Sequence, residues 1–173
     1  AEDKKWAQTQ LPVGCFGIAP YGASRHRCLS AAFICQLTAF LAAHTTFKIA
    51  LLFELKDELK AELEAVAPGR LVYKPLRTTA SQYAALIACC HGMLCVDSAA
   101  VHLSNAARIP AFCLYSGLDP DGIKRWGPAP FAGECVSFLK SGQRIDELVF
   151  ADIAPALFDF LQMVDRLVYL LHR

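Results

Sequence analysis

The chain has 173 residues, of which 55% are apolar and 19% charged, and its net charge is +1. That length carries one domain with a real core, and that composition excludes a disordered chain. Near-neutral charge with no acidic or basic tail excludes a general nucleic-acid binder and a polybasic membrane-surface protein, so no nucleic-acid partner is expected. Residues 1–13 read as a linker-like start, and all of 1–173 as a single domain.

"CFGIAPYG" (Cys15–Gly22) predicts a first strand closed by a glycine turn. "LSAAFICQLTAFLAAH" predicts a helix with Ser30 as its N-cap. "FKIALLFE" predicts a second strand, and "LKDELKAELEAVAPG" a helix with Leu55, Leu59 and Leu63 on one face, stopped by Pro68-Gly69. "RLVYKP" reads as a third strand. In "TTASQYAALIACCHG", Thr79 and Gln82 form a capping box, and Gly92 is expected to close the helix. "MLCVDS" reads as a fourth strand, "AAVHLSNAAR" as a helix and "IPAFCLYS" as a fifth strand. A Gly/Pro/Asp-rich loop runs from Gly117 to Gly133, and "ECVSFLK" predicts a short sixth strand. Asp152 is read as the cap of a last helix, residues 151–173, whose apolar face is Ile153, Leu157, Phe160, Leu161, Val164, Leu167, Val168 and Leu171.

Continuous apolar strands that alternate with helices are the pattern of a parallel sheet covered on both faces. The expected architecture is α/β, a Rossmann-like doubly wound parallel sheet, whose ligands bind at the carboxyl ends of the strands near the switch point. A mean hydropathy of +0.34 implies either a large core or apolar surface that meets a partner.

The eight cysteines include no C-x-x-C pair, and Cys89, Cys90, His91 and Cys95 lack the spacing of a zinc site, so no metal is expected. Cys15, Cys35, Cys95 and Cys113 sit in apolar runs, where free thiols act as small hydrophobes. Unpatterned cysteines and polar, acidic first residues point to a reducing, cytoplasmic setting with no secretory leader. The uncharged stretch from Cys28 to Phe47 reads as a buried helix running into a strand rather than as a membrane span.

Polar groups gather at the strand ends. Asp97 and Ser98 follow the fourth strand and can cap the next helix, Ala99 and Ala100 leave its N-terminus open, and His102 lies one turn in. Such a terminus suits an anion, and equally a plain cap beside a satisfied histidine. "YGASRHR" after the first strand offers Gly22, Ser24, Arg25 and Arg27, a loop that can cradle phosphates or stand as a solvated basic turn. Glu54, Asp57 and Glu58 follow the second strand, as ribose-holding carboxylates or as a charged helix start. Thr78 and Thr79 follow the third. No G-x-G-x-x-G fingerprint occurs, so nicotinamide dinucleotides are not indicated. Together these ends outline a nucleotide-diphosphate site.

"VDSAAVHLSNAARIPAFCLYSGLDPDGIKRWGP" resembles the C-terminal domain of the lipopolysaccharide heptosyltransferases, glycosyltransferase family 9. The residues that carry the resemblance are Asp97, Ser98, His102, Leu103, Pro110, Ser116, Gly117, Asp119, Pro120, Arg125, Trp126, Gly127 and Pro128. Upstream, "IAPYGASRHRCLS" is similar to the family's phosphate loop, and "TTASQYAALIACCHGMLCVDS" to the segment that leads into its aspartate. The resemblance spans roughly Gly14 to Pro128.

It implies one half of a GT-B type, inverting, metal-independent glycosyltransferase with no cofactor and an ADP-heptose-like donor, in lipopolysaccharide core or related glycan synthesis. By the resemblance, Ala23, Ser24 and Arg27 contact the diphosphate, Asp57 or Glu58 takes the ribose, Thr78 and Thr79 line the adenine pocket, and Asp97, Ala99 and His102 hold sugar and phosphate. The general base and the lipid-linked or glycan acceptor belong to an N-terminal domain or chain, so the isolated domain is expected to be inactive. The expected location is cytoplasmic, including a peripheral place at the inner membrane face.

The chain departs from the family pattern at four places. Ala99 replaces a glycine, Tyr21-Gly22 a Pro-Gly, Leu52-Phe53 a Gly-Gly, and Arg27 a lysine in a loop one residue shorter. These departures leave open a non-catalytic, glycosyltransferase-like binding or interaction module. An unrelated Rossmann-like enzyme using His102 as acid/base is a further alternative, although no G-x-S-x-G elbow accompanies it.

Overall fold

In the computed structural model, residues 2–119, 121–128 and 135–171 are described. Pro120 and the 129–133 part of the expected Gly117–Gly133 loop lie outside them, as does the side chain of Leu171. The elements are α1 (Glu2–Gln10), β1 (Cys15–Ala19), α2 (Ala31–His44), β2 (Ile49–Leu51), α3 (Asp57–Val66), β3 (Leu71–Tyr73), α4 (Ala80–Ile87), β4 (Cys90–Val96), α5 (Ala99–Ala106), β5 (Ala111–Leu114), α6 (Gly122–Trp126), β6 (Cys135–Phe138) and α7 (Phe150–Leu171). The strands form one sheet in the order β3-β2-β1-β4-β5-β6, every pair parallel. This is the doubly wound, Rossmann-like α/β fold expected from the sequence, and its order reverses between β1 and β4.

Side-chain size sorts the two faces of the sheet. Phe16, Ile18, Ile49, Leu51, Leu94, Val96, Phe112 and Leu114 point to one face, where they pack against Leu37 and Leu41 of α2, Leu59 and Leu63 of α3, and Leu157, Phe160, Leu161 and Val164 of α7. The other face is built mainly of small residues: Cys15, Ala19, Ala50, Cys95, Ala111 and Cys113. There α1, α4 and α5 supply Ala7, Leu86, Ile87, Ala100 and Val101. Two buried faces explain the high mean hydropathy. The cysteines of the second face serve as small apolar residues, and among the described residues no set of His, Cys, Asp or Glu gathers as metal ligands.

Burial pushes the Cys15 thiol from 9.0 up to about 11, and burial with a hydrogen bond to Glu62 does the same for Cys35. Both thiols hold their protons in the folded chain at a pH where the unfolded chain has begun to lose them. Above about pH 9 the native state therefore binds more protons than the unfolded state, and stability falls as pH rises toward 11. The urea midpoint is expected to drop between pH 8 and 10.5, and Cys15→Ala to flatten that drop. An unchanged midpoint would mean the thiols ionise equally in both states.

Several boundaries differ from the sequence reading. Residues 2–10, expected as a linker-like start, form α1, because Ala7 and Leu11 bury fully against the small face of the sheet. Gly92 does not close α4, which ends at Ile87; Cys90, His91 and Gly92 already belong to β4. A β-carbon at Gly92 would approach the Phe16 ring to 3.0 Å, so the glycine serves strand packing. Part of the expected Gly/Pro/Asp-rich loop is α6. Asp152 sits inside the first turn of α7, where it accepts from the Val149 N–H at 3.4 Å and from Lys140 Nζ at 2.8 Å. The Ser30 N-cap and the Thr79–Gln82 capping box form as expected.

Candidate functional site

Beyond Ala19 the chain turns back tightly. Tyr21 bridges to Cys28, the Gly22 N–H donates to the Arg27 carbonyl at 3.0 Å, and Arg25–Arg27 make one turn of 3-10 helix. The turn lies across the end of β4, with the Asp97 carbonyl beside Gly22. It delivers the Arg27 guanidinium to within 3.2 Å of the Asp97 carboxylate. Asp97 is 15% exposed and Arg27 44%, so the pair is solvent-facing on the arginine side. In such a setting the pair itself adds little stability and chiefly fixes where the positive charge sits.

Ser98 caps α5, its hydroxyl accepting from the Ala100 N–H at 3.3 Å. The methyl of Ala99 and the ring of His102 are exposed on the same helix. Tyr21, Gly22, Ala23, Arg27, Asp97, Ser98, Ala99, His102 and Trp126 line one cavity of about 470 Å³. It opens between the ends of β1 and β4, where the sheet order reverses. Parallel α/β sheets bind ligands at that position.

A second cavity, about 410 Å³, opens beyond β2 and is lined by Tyr21, Ala31, Glu54, Lys56, Glu58, Leu59 and Glu62. A third hollow of about 420 Å³ is lined by Gln162, Asp165, Arg166, Tyr169 and Leu170. It runs along the flank of α7 alone, away from the strand ends.

The structure thus brings Ala23, Arg27, Asp97, Ser98, Ala99 and His102 to one mouth and places Glu58 at the neighbouring one. Asp57 opens α3 outside the described lining of either cavity. Ser24 is exposed on the turn and makes no side-chain cap. Thr78 and Thr79 line neither cavity: Thr78 accepts from Lys74 Nζ at 3.3 Å, and the Thr79 hydroxyl is engaged by Gln82 and Ser81. Sequence reasoning missed Tyr21, Lys56, Glu62 and Trp126 as lining residues. Spacing could have found Glu62, which lies one turn beyond Glu58 on α3. Trp126 required α6, held where the Tyr115 hydroxyl donates to its carbonyl at 3.2 Å.

A doubly wound sheet with a cation, a carboxylate and a capped helix N-terminus at its switch point defines a Rossmann-like domain with a candidate site at the position where such sheets carry ligands. The chain belongs to glycosyltransferase family 9 (heptosyltransferase), whose family model matches residues 36–137. Solved structures share the fold. The E. coli heptosyltransferase WaaC with ADP is 17% identical at a TM-score of 0.66, covering 93% of this chain and 48% of its own. The E. coli ADP-heptose lipopolysaccharide heptosyltransferase II is 16% identical at a TM-score of 0.70, covering 95% and 52%. A family 9 glycosyltransferase from Veillonella parvula is 14% identical at a TM-score of 0.59, covering 81% and 41%. The chain therefore spans about half the length of these relatives, the share that one half of a GT-B architecture contributes. No curated protein matches the chain by sequence comparison. Among the described residues, no helix is long and apolar enough to cross a membrane.

Proposed function

We propose that this chain is the donor-binding half of an inverting, metal-independent glycosyltransferase that takes an ADP-heptose-like nucleotide sugar. Its place is cytoplasmic, and it serves lipopolysaccharide core or related glycan synthesis. The observation that carries this reading is the 470 Å³ cavity at the switch point, with Arg27 held over the Asp97–Ser98 start of α5. Family membership and the ADP named for the WaaC relative support the donor class.

The chemistry follows from charge. When a nucleotide sugar reacts, negative charge grows on the departing diphosphate. A fixed guanidinium and the positive end of the α5 dipole lower that barrier, as preorganised groups do in an oxyanion hole. Asp97 positions Arg27 and can accept a sugar hydroxyl, and His102 stands one turn along the same helix. The general base and the glycan or lipid-linked acceptor belong to an N-terminal domain or partner chain.

Calorimetric titration with ADP, UDP and GDP, without metal and then with Mg²⁺, tests this reading. Metal-free binding that prefers ADP supports it, a preference for UDP or GDP changes the sugar, and no binding at millimolar concentration removes it for the isolated chain. Arg27→Ala is expected to weaken ADP binding by about 1–3 kcal/mol, the range of a charge-assisted contact. Unchanged affinity would remove Arg27 from the site.

A second reading, a non-catalytic module of the same fold, draws on Leu52 and Phe53, which are 2% and 7% exposed and fill the end of β2. Binding without turnover, in a full-length chain given acceptor, would favour it.

A further inference from the structure

Tyr21 is the one residue that lines both the 470 Å³ and the 410 Å³ cavities among the described residues. It stands at the end of β1, the strand from which the sheet winds in both directions. The compartments on its two sides differ in charge. One carries Arg27 with Asp97 and His102; the other carries Glu54, Glu58 and Glu62 against Lys56 alone. The second, with three carboxylates against one ammonium, repels an anion; the first, where Arg27 balances Asp97, does not. Sugar hydroxyls, which donate hydrogen bonds, suit the carboxylates of the second.

The Tyr21 ring is also held in place. It meets the Phe53 ring in a T-shaped contact, 5.0 Å between centroids and 77° between planes. The backbone on either side is pinned by the Tyr21–Cys28 bridge and by Gly22, where a β-carbon would lie 2.6 Å from Arg27 Cβ. Yet the residue remains 40% exposed, so part of its surface is open to a ligand. Tyr21 and Phe53 occupy two of the positions at which the chain departs from the family pattern, and here they touch each other.

We propose that Tyr21 is a specificity-determining residue: its ring is the partition between a phosphate compartment and a ribose compartment, and the nucleoside of the donor packs on it. This rests on the nucleotide-sugar reading above. A nucleoside diphosphate then fits one way round, with phosphates at Arg27, ribose toward Glu54, Glu58 and Glu62, and Tyr21 beneath the bridge between them. Inorganic pyrophosphate needs only the first compartment and makes no use of the ring's ribose side.

The test is an NMR-detected titration of the chain with ADP and with inorganic pyrophosphate, taken to millimolar concentration, for the parent, Tyr21→Ala and Tyr21→Phe. Folding of each variant is checked by its amide spectrum. Tyr21→Ala is expected to bind ADP roughly tenfold more weakly, the scale of uncovering an apolar ring surface that the ligand buries, and pyrophosphate as the parent does. Tyr21→Phe, which keeps the ring, is expected to restore ADP binding to within about twofold. If Tyr21→Ala binds ADP like the parent, the partition is overturned while the nucleotide site stands. If it loses ADP and pyrophosphate equally, Tyr21 supports the turn and does not touch the nucleoside, and the proposal is overturned again. A parent chain that binds neither ligand overturns this proposal and the nucleotide reading together.

Discussion

Gly22→Ala is expected to cost this chain about 2 kcal/mol of stability and to weaken ADP binding at least tenfold. The added β-carbon would lie 2.6 Å from Arg27 Cβ and 3.0 Å from both the Arg27 and the Asp97 carbonyl oxygens. None of these atoms is the free end of a flexible side chain. Relief therefore requires the turn to lift off the end of β4, which stretches the Gly22 N–H bond to the Arg27 carbonyl. It also carries the guanidinium away from Asp97. For a domain of this size the stability loss corresponds to a Tm drop of roughly 4–8 °C. Thermal unfolding and an ADP titration of the same variant check both halves. A variant that is less stable yet binds ADP normally would show that the position of the turn does not matter to the ligand.

Arg70→Ala is expected to lower unfolding free energy by about 2–3 kcal/mol and to leave ADP affinity unchanged. Arg70 precedes β3, at the amino end of the strands, whereas the cavities lie at their carboxyl end. Its guanidinium donates to the carbonyls of Phe47, Ala42 and Thr45. Ala42 and Thr45 lie at the C-terminus of α2, where carbonyls lack helical partners and the dipole is negative, so a cation is well placed. Phe47 leads into β2, so one side chain ties a helix end to two adjacent strands. Its removal leaves three acceptors, on half-buried Ala42 and Thr45 and on buried Phe47, to be satisfied by water, and hydrogen bonds to charged groups cost about 1.5–3 kcal/mol when lost. Urea unfolding measures the effect. A loss below about 0.5 kcal/mol would mean that water replaces the guanidinium at no cost. The contrast with Gly22 separates the two ends of the strands: stability and ADP binding are expected to fall together at the carboxyl end, and stability alone at the amino end.

The two positions also show how far each end can be read without coordinates. Arg70 heads an apolar run and looks like any strand-flanking cation; its three acceptors lie between 23 and 28 residues earlier in the chain. Gly22, in contrast, announces a turn by its identity. Strand and helix periodicity, the Ser30 cap and the Thr79–Gln82 box are local, because each depends on contacts within one or two turns of chain. That is why they were legible. The α1 helix was not, since its weak apolar face is stabilised by burial against α4 and the small side of the sheet.

At the site the same division holds. Sequence alone determined that the chain is a parallel α/β domain and that Arg27, Asp97, Ser98, Ala99 and His102 stand at strand ends, because strand ends follow from local hydrophobic pattern; the family resemblance added Ala23. Only tertiary structure decided that Arg27 pairs with Asp97, some 70 residues away, that Thr79 is consumed by its own helix, and that Tyr21 lines two cavities. Those outcomes depend on strand order, and the order places β1 beside β4 because burying both faces of one sheet outweighs keeping sequence neighbours together.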